Sequence, residues 1–311
     1  MDVVALTDLD ATRLDELAAL ASRAEAADGH PPLPEPQHLA LTRDGEAAQG
    51  VWVVLARREG SLVGCALVTP ARDGSASLHL VTDPAVPDRA GLASELADAA
   101  VRAATADGGV TTLHLWAMRA GPGDDDLAVR HGFAPERDVL QMRVPLPLAD
   151  EVERATRRVA TRPFEPGRDD EAWLTVNNRA FAGHPEQGSW TLTQLHERLA
   201  ADWVDLDGFL VADDPDGVGL LGSCWTKIHR DHHPVLGEIY VIAVDPAHHG
   251  GGLGRALTVA GLDYMAGRGV QLGMLYADAS NETAIALYGA LGFTVDHVDR
   301  SYRREVPAVV S

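Results

Sequence analysis

The chain repeats itself at long range, and that repeat limits its architecture more than any local motif. Val51–Ala56 and Ser61–Thr69 alternate like a hairpin, Ser77–Thr82 reads as a strand, Gly91–Asp107 as a helix, Thr111–Ala117 as a strand, and Asp124–His131 as a helix ending at Gly132-Phe133. The series returns as Phe209–Ala212, Gly219–Lys227, Glu238–Val244, Leu253–Gly267, Gln271–Ala277 and Glu282–Leu291, ending at Gly292-Phe293. The offset is nearly constant: 292 − 132 = 160 for the closing glycines, and 246 − 84 = 162 for the prolines of Asp83-Pro84 and Asp245-Pro246. So long a period signifies duplicated domains instead of a solenoid, and 311 residues suit two domains of about 150. Each half opens with helix-rich sequence, Asp10–Ala27 in the first, Asp169–Phe181 and Thr191–Asp202 in the second. Charged Ala149–Thr161 carries no strand signal and reads as a connection. The expectation is an N-terminal domain at residues 1–148, a linker at 149–160 and a C-terminal domain at 161–311, each an α/β fold with a mixed sheet.

Within the second copy, Gly237–Leu257 joins an apolar strand to a glycine cluster and then a helix. Gly250, Gly251, Gly252 and Gly254 let backbone N–H groups approach an anion at the start of that helix, an arrangement suited to pyrophosphate. A nucleotide P-loop would place Lys and Ser or Thr after the glycines, whereas Gly254 is followed by Arg255-Ala256. A dinucleotide site would need an acidic residue on the next strand, and none is well placed. The formal net charge of −20 repels nucleic acid and anionic membrane, so an anionic cofactor must be held locally by backbone dipoles and a few basic groups. Val244-Asp245-Pro246 followed by His249-Gly250-Gly251-Gly252-Leu253-Gly254 resembles the acetyl-CoA motif of the GCN5-related N-acetyltransferases. That resemblance implies two tandem domains of this family and acetyl-CoA as co-substrate.

The copies differ chemically. Aligning the Asp-Pro pairs sets Ala76 opposite Glu238 and replaces the glycine loop by Ala85–Ala93; the offset of 160 sets Ala128 opposite Tyr288 and Gly121 opposite Asn281. Catalysis is therefore expected in the second half alone. Acetyl transfer to an amine needs a neutral amine, a polarised thioester carbonyl and a proton for the departing thiolate. Glu238, at the start of the strand leading to the glycines, is the candidate base; its bland alternative is a solvated strand-end carboxylate. Tyr288 matches the family tyrosine whose hydroxyl lies near the CoA sulfur and is the candidate acid, the alternative being a core aromatic. Asn281 can cap its helix.

The resemblance further implies that the backbone of Ile242, Ala243 and Val244 pairs with the pantetheine arm like an added strand, with a bulge there aiming an N–H at the thioester oxygen. It assigns the pyrophosphate to His249, Gly250, Gly251, Gly252, Leu253, Gly254 and Arg255, and the rest of the arm to Asn281, Glu282, Thr283, Ala284, Ile285 and Ala286. His249-Gly250-Gly251 departs from the family's Gln or Arg followed by basic residues, which weakens attraction for the pyrophosphate while keeping the amide donors. In the first half, Leu80, Val81 and Thr82 offer a backbone for a second CoA, or merely pack.

Val176–Trp190, Trp225-Thr226-Lys227, Gly237-Glu238-Ile239-Tyr240 and Leu275-Tyr276 resemble the mycothiol synthases, tandem acetyltransferases that acetylate a cysteinyl amino-sugar. The family's substrate positions fall on Glu35, Glu186, Lys227, Glu238 and Tyr276, groups suited to a polyhydroxylated cationic amine. Glu35 would bring both halves to one cleft; its alternative is a helix-initiating residue. The remaining readings are an acetyltransferase for another amine and a non-catalytic acyl-CoA sensor. Cys65 and Cys224 lie in strand-like runs without basic partners and read as buried thiols, so direct attack of the amine on the thioester in a ternary complex is expected. His229-Arg230-Asp231-His232-His233 reads as a solvated loop before Pro234, so no metal is expected. With no membrane-length apolar run, a cytoplasmic monomer is expected.

Overall fold

The computed structural model describes residues 2–6, 9–34, 37–38, 51–71, 73–182, 188–215, 217, 219–230 and 234–307. The chain divides into two units: residues 1–139 with 297–311, and residues 140–296. The first contains β1 (Asp2–Leu6), α1 (Ala11–Asp28), β2 (Trp52–Arg58), β3 (Ser61–Pro70), β4 (Ser75–Thr82), α2 (Arg89–Asp107), β5 (Thr112–Ala117), α3 (Pro122–Arg130) and the start of β6 (Ala134–Pro145). The second holds the rest of β6, α4 (Asp150–Arg154), β7 (Arg162–Pro163), α5 (Asp170–Ala180), α6 (Leu192–Leu199), β8 (Phe209–Asp213), β9 (Leu220–His229), β10 (Leu236–Val244), α7 (Leu253–Gly267), β11 (Leu272–Asp278) and α8 (Glu282–Gly289). The last strand, β12 (Thr294–Glu305), returns to the first unit from His297 onward.

In the first unit β1 to β4 run antiparallel to their neighbours, β4 and β5 are parallel across the α2 crossover, and β12 closes the sheet antiparallel to β5. The second repeats this plan: β7 to β10 antiparallel, β10 and β11 parallel across α7, and the end of β6 beside β11. Each sheet is thus mixed. Its parallel pair requires a helical crossover, which places a helix on one face. Each sheet is finished by a strand from the other half of the sequence, a feature that a linear division at 148 and 161 does not contain. The segment expected to be a linker forms α4, and Leu148 and Thr156 flanking it are buried.

Every sheet carries a core on each face. In the second unit, Met142, Val144, Leu146, Leu257, Leu262, Met265 and Tyr288 form one core with α7 and α8. Phe164, Trp173, Trp190, Phe209 and Trp225 form the other with α5 and α6. Phe209 stacks on both Phe164 and Trp225 at 4.3 Å between centroids, so the second face is floored with aromatic rings.

Candidate active site

The chemistry-bearing strand is β10, and two departures from its counterpart β4 distinguish it. Against β9 its register runs through Glu238↔Lys227 and Ile239↔Thr226, then resumes at Val241↔Trp225, leaving Tyr240 as one extra residue. The β3–β4 register has no such shift. A one-residue bulge exchanges the faces beyond it: Ile239 packs toward α7, Val241 and Ala243 belong to the aromatic core, and Ile242 and Val244 return to the α7 side. The bulge expected among Ile242, Ala243 and Val244 therefore falls at Tyr240, just ahead of them.

The second departure is on the other edge. The parallel ladder between β10 and β11 ends at Glu238↔Met274, whereas β4 stays paired with β5 as far as His79↔Trp116. Through the offset of 162, His79 corresponds to 79 + 162 = 241. The second sheet opens 241 − 238 = 3 positions sooner. Beyond Glu238 the β10 backbone leaves its β11 ladder, and its N–H and C=O groups on that edge require another partner.

Glu238 stands where the strands part. Its side chain is only 12% exposed, and its Oε2 lies 2.7 Å from Nε2 of His229. Lys227, across the ladder, sets its ammonium 4.7 Å above the Trp203 ring and 5.7 Å from the Tyr240 ring, a cation–π seat. Tyr276 on β11 is exposed, and its hydroxyl accepts a 2.7 Å hydrogen bond from Gln141 Nε2. Glu35 and Glu186 lie outside the described residues. His229 is the group the sequence reading missed: it ends β9 instead of opening a loop, two residues beyond Lys227 and therefore on the same strand face. That spacing was the available signal. Among the described residues no group of three His, Cys, Asp or Glu side chains could hold a metal.

At the far end of β10, Asp245 Oδ1 accepts from Ala247 N and Oδ2 pairs with Arg179 at 2.8 Å, fixing the exit into the glycine loop. Gly250 and Gly252 have φ of 84° and 76°, a left-handed region that β-carbon-bearing residues enter at a cost. Gly252 is the N-cap of α7, no side chain caps that end, and its first turn has no acidic residue. The first-turn amides are left for an anion. His249 Nε2 sits 3.2 Å from the Val244 carbonyl, and Arg255 bonds Thr156 Oγ1 at 2.9 Å. In the first unit the equivalent helix end is already occupied, because Asp88 Oδ1 accepts from Gly91 N at 2.8 Å.

Asn281 caps α8, its Oδ1 accepting from Ala284 N at 3.1 Å. Tyr288 on that helix is buried in the α7–α8 core, and burial pushes its phenol up to about 12, so the group keeps its proton at neutral pH. Cys65 and Cys224 are buried and unbridged, and burial raises both thiols to about 12, leaving them poor nucleophiles. In the first unit a cavity of about 220 Å³ is lined by Leu80, Val81, Thr82, Arg89 and Trp116 among others.

The family model of the acetyltransferase (GNAT) family matches residues 14–133 and again 171–293. The mycothiol acetyltransferase of Kocuria rhizophila is 44% identical over 299 residues, covering 93% of this chain and 95% of that one. That of Arthrobacter sp. strain FB24 is 39% identical, covering 94% and 93%. Among solved structures, a tandem GNAT protein from the clavulanic acid biosynthesis pathway superposes with a TM-score of 0.73 at 20% identity, covering 98% of both chains. A GCN5-related N-acetyltransferase from Sphaerobacter thermophilus gives 0.71 at 22% identity, covering 99% and 97%. These two likenesses are of fold.

Proposed function

Because the chain belongs to the acetyltransferase (GNAT) family, and within it to the mycothiol acetyltransferases, we propose that it moves the acetyl group of acetyl-CoA to the cysteinyl amine of 1D-myo-inositol 2-(L-cysteinylamino)-2-deoxy-α-D-glucopyranoside, giving mycothiol and CoA. The observation that carries the site assignment is the coincidence, on β10 alone, of a carboxylate, an early strand opening and an uncapped glycine-rich helix start.

In this reading, the pantetheine arm takes the ladder position that β11 relinquishes beside Ile242, Ala243 and Val244. The pyrophosphate lies on the amides of residues 249–255, and residues 281–286 border the arm. Glu238 takes a proton from the substrate ammonium, directly or through one water. The freed nitrogen pair attacks the thioester carbon, and the tetrahedral oxyanion collapses with loss of the thiolate, to which Tyr288 gives its phenolic proton. The second proton, shed by the new amide nitrogen, returns the tyrosinate to phenol while Glu238 passes its own proton to water. Glu35, Glu186, Lys227 and Tyr276 hold the substrate's hydroxyls and amine. Leu80, Val81 and Thr82 are assigned to a second, non-catalytic CoA, on the strength of the cavity they line. No helix among the described residues is long and apolar enough to cross a membrane; a cytoplasmic, monomeric enzyme working without a metal completes the proposal.

The test is CoA release from acetyl-CoA by the wild type and Glu238→Gln, with the cysteinyl glucosamine-inositol and with simple amines. Release with the former alone, falling about a hundred- to ten-thousand-fold in the variant at unchanged KM for acetyl-CoA, is expected. Equal turnover of the two proteins removes Glu238 from the mechanism; release only with other amines removes the substrate.

A further inference from the structure

A carboxylate that serves as a base must be aimed, and Glu238 has a partner that aims it. His229 Nε2 lies 2.7 Å from Glu238 Oε2, on the neighbouring antiparallel strand, with side-chain exposures of 18% and 12%. An ionised carboxylate only accepts hydrogen bonds, so at this separation the imidazole carries its proton on Nε2 and donates it. In β9–β10 the partner of His229 is Leu236 and that of Lys227 is Glu238, so Glu238 reaches diagonally to His229 while Lys227 leans onto the Trp203 ring. Diagonal neighbours lie within reach of long side chains.

We propose that His229 is the positioning residue of the base: its Nε2–H holds one carboxylate oxygen of Glu238 and leaves the other for the substrate ammonium. The inference rests on Glu238 being the base. During the step the N–H bond of the ammonium breaks, the electron pair stays on nitrogen, and an O–H bond forms on the Glu238 oxygen that His229 does not hold. Held at one oxygen, the carboxylate keeps its other oxygen turned to the incoming N–H.

Other charges do not replace His229 in this role. On the same sheet face stand Lys227 over Trp203, the phenol of Tyr240, and Tyr276, whose hydroxyl is engaged by Gln141. On the helices packed over this face, Arg179 pairs with Asp245, His196 with Asp170, and Arg198 sits 4.8 Å over the Trp190 ring, while Glu171 and Glu197 are exposed.

Two substitutions in the full-length enzyme separate aiming from mere packing. His229→Ala removes the donor and should lower kcat about ten- to a hundredfold with KM for acetyl-CoA unchanged, the usual cost of deleting a group that orients a reacting one. His229→Gln keeps an N–H donor at this position and should recover most of the kcat that His229→Ala loses. Wild-type kcat in both variants would overturn the proposal, as would a glutamine variant that recovers nothing. A wild type that transfers no acetyl group, or a Glu238→Gln variant of full activity, would instead sink the assignment on which this inference rests.

Discussion

At the scale of single residues, the two units treat one position in opposite ways. Val241 packs into the aromatic core, while its counterpart His79 is buried with neither ring nitrogen hydrogen-bonded among the described residues. Burial pushes that imidazole down to about 3. The sign follows: between about 3 and the ordinary 6.5 the unfolded chain binds a proton that the folded one refuses, so stability is undiminished above 6.5 and drains as pH falls through that window. The slope for one such group approaches about 1.4 kcal/mol per pH unit. His79→Leu should remove most of it: urea midpoints at pH 7.5 and 5.5 should differ less in the variant than in the wild type, and equal differences would mean that His79 is protonated in the folded protein. Residues were legible in unequal measure. Glu238 was readable because it interrupts an otherwise apolar strand leading to glycines, where a carboxylate costs desolvation energy that only a partner or a ligand offsets. His229 was not, because five polar residues in a row read as solvent-facing loop and its partner lies 9 residues further along, across a turn.

At the scale of elements, the helices other than α4, read as a linker, and the apolar strands other than β1, which was not read, followed from the sequence within a few residues. Strands β6 and β12 did not: APERDVLQMRVP and TVDHVDRSYRRE carry charges along most of their length. What holds them is pairing with a neighbour, together with salt bridges such as Arg300 to Asp125 and Asp138, and no periodicity reports these. The bulge at Tyr240 is equally silent, since one extra residue alters register without altering composition. The helix starts yield a testable contrast. Gly252 leaves the amides of α7 open, whereas Asp88 covers those of α2 with its own carboxylate. Gly252→Asp puts a negative charge where the pyrophosphate is proposed to lie, at some cost in backbone strain because position 252 sits at φ 76° whereas Asp88 caps α2 from φ −111°. Titration with CoA should find two unequal sites in the wild type; the variant should weaken the tighter about tenfold or more, as fits the loss of one or two charge-assisted bonds, and spare the other. A single site in the wild type would withdraw CoA from Leu80–Thr82; an unaffected tight site would withdraw it from the glycine loop.

At the scale of the whole molecule, the repeat announces two domains but not how each is completed. The second unit begins at Leu140, not after residue 148, because Met142, Val144, Leu146 and Leu148 are buried in the core beneath α7 and α8. The Leu146 amide also donates to the Gln271 carbonyl at 2.9 Å, tying this strand to the start of β11. Each such side chain contributes about 1.5–3 kcal/mol when fully buried, and four together rival the roughly 5–15 kcal/mol by which a domain is stable. A fragment beginning at residue 149 would also uncover the edge of β11, a template for aggregation. Two fragments decide the matter: one spanning 149–311 should be insoluble or lack a cooperative thermal transition, and one spanning 138–311 should regain that transition and the protection of β11 amides from hydrogen exchange. Cooperative unfolding of the shorter fragment would show that the second core closes without these four residues, and the boundary read from the repeat would then be the physical one.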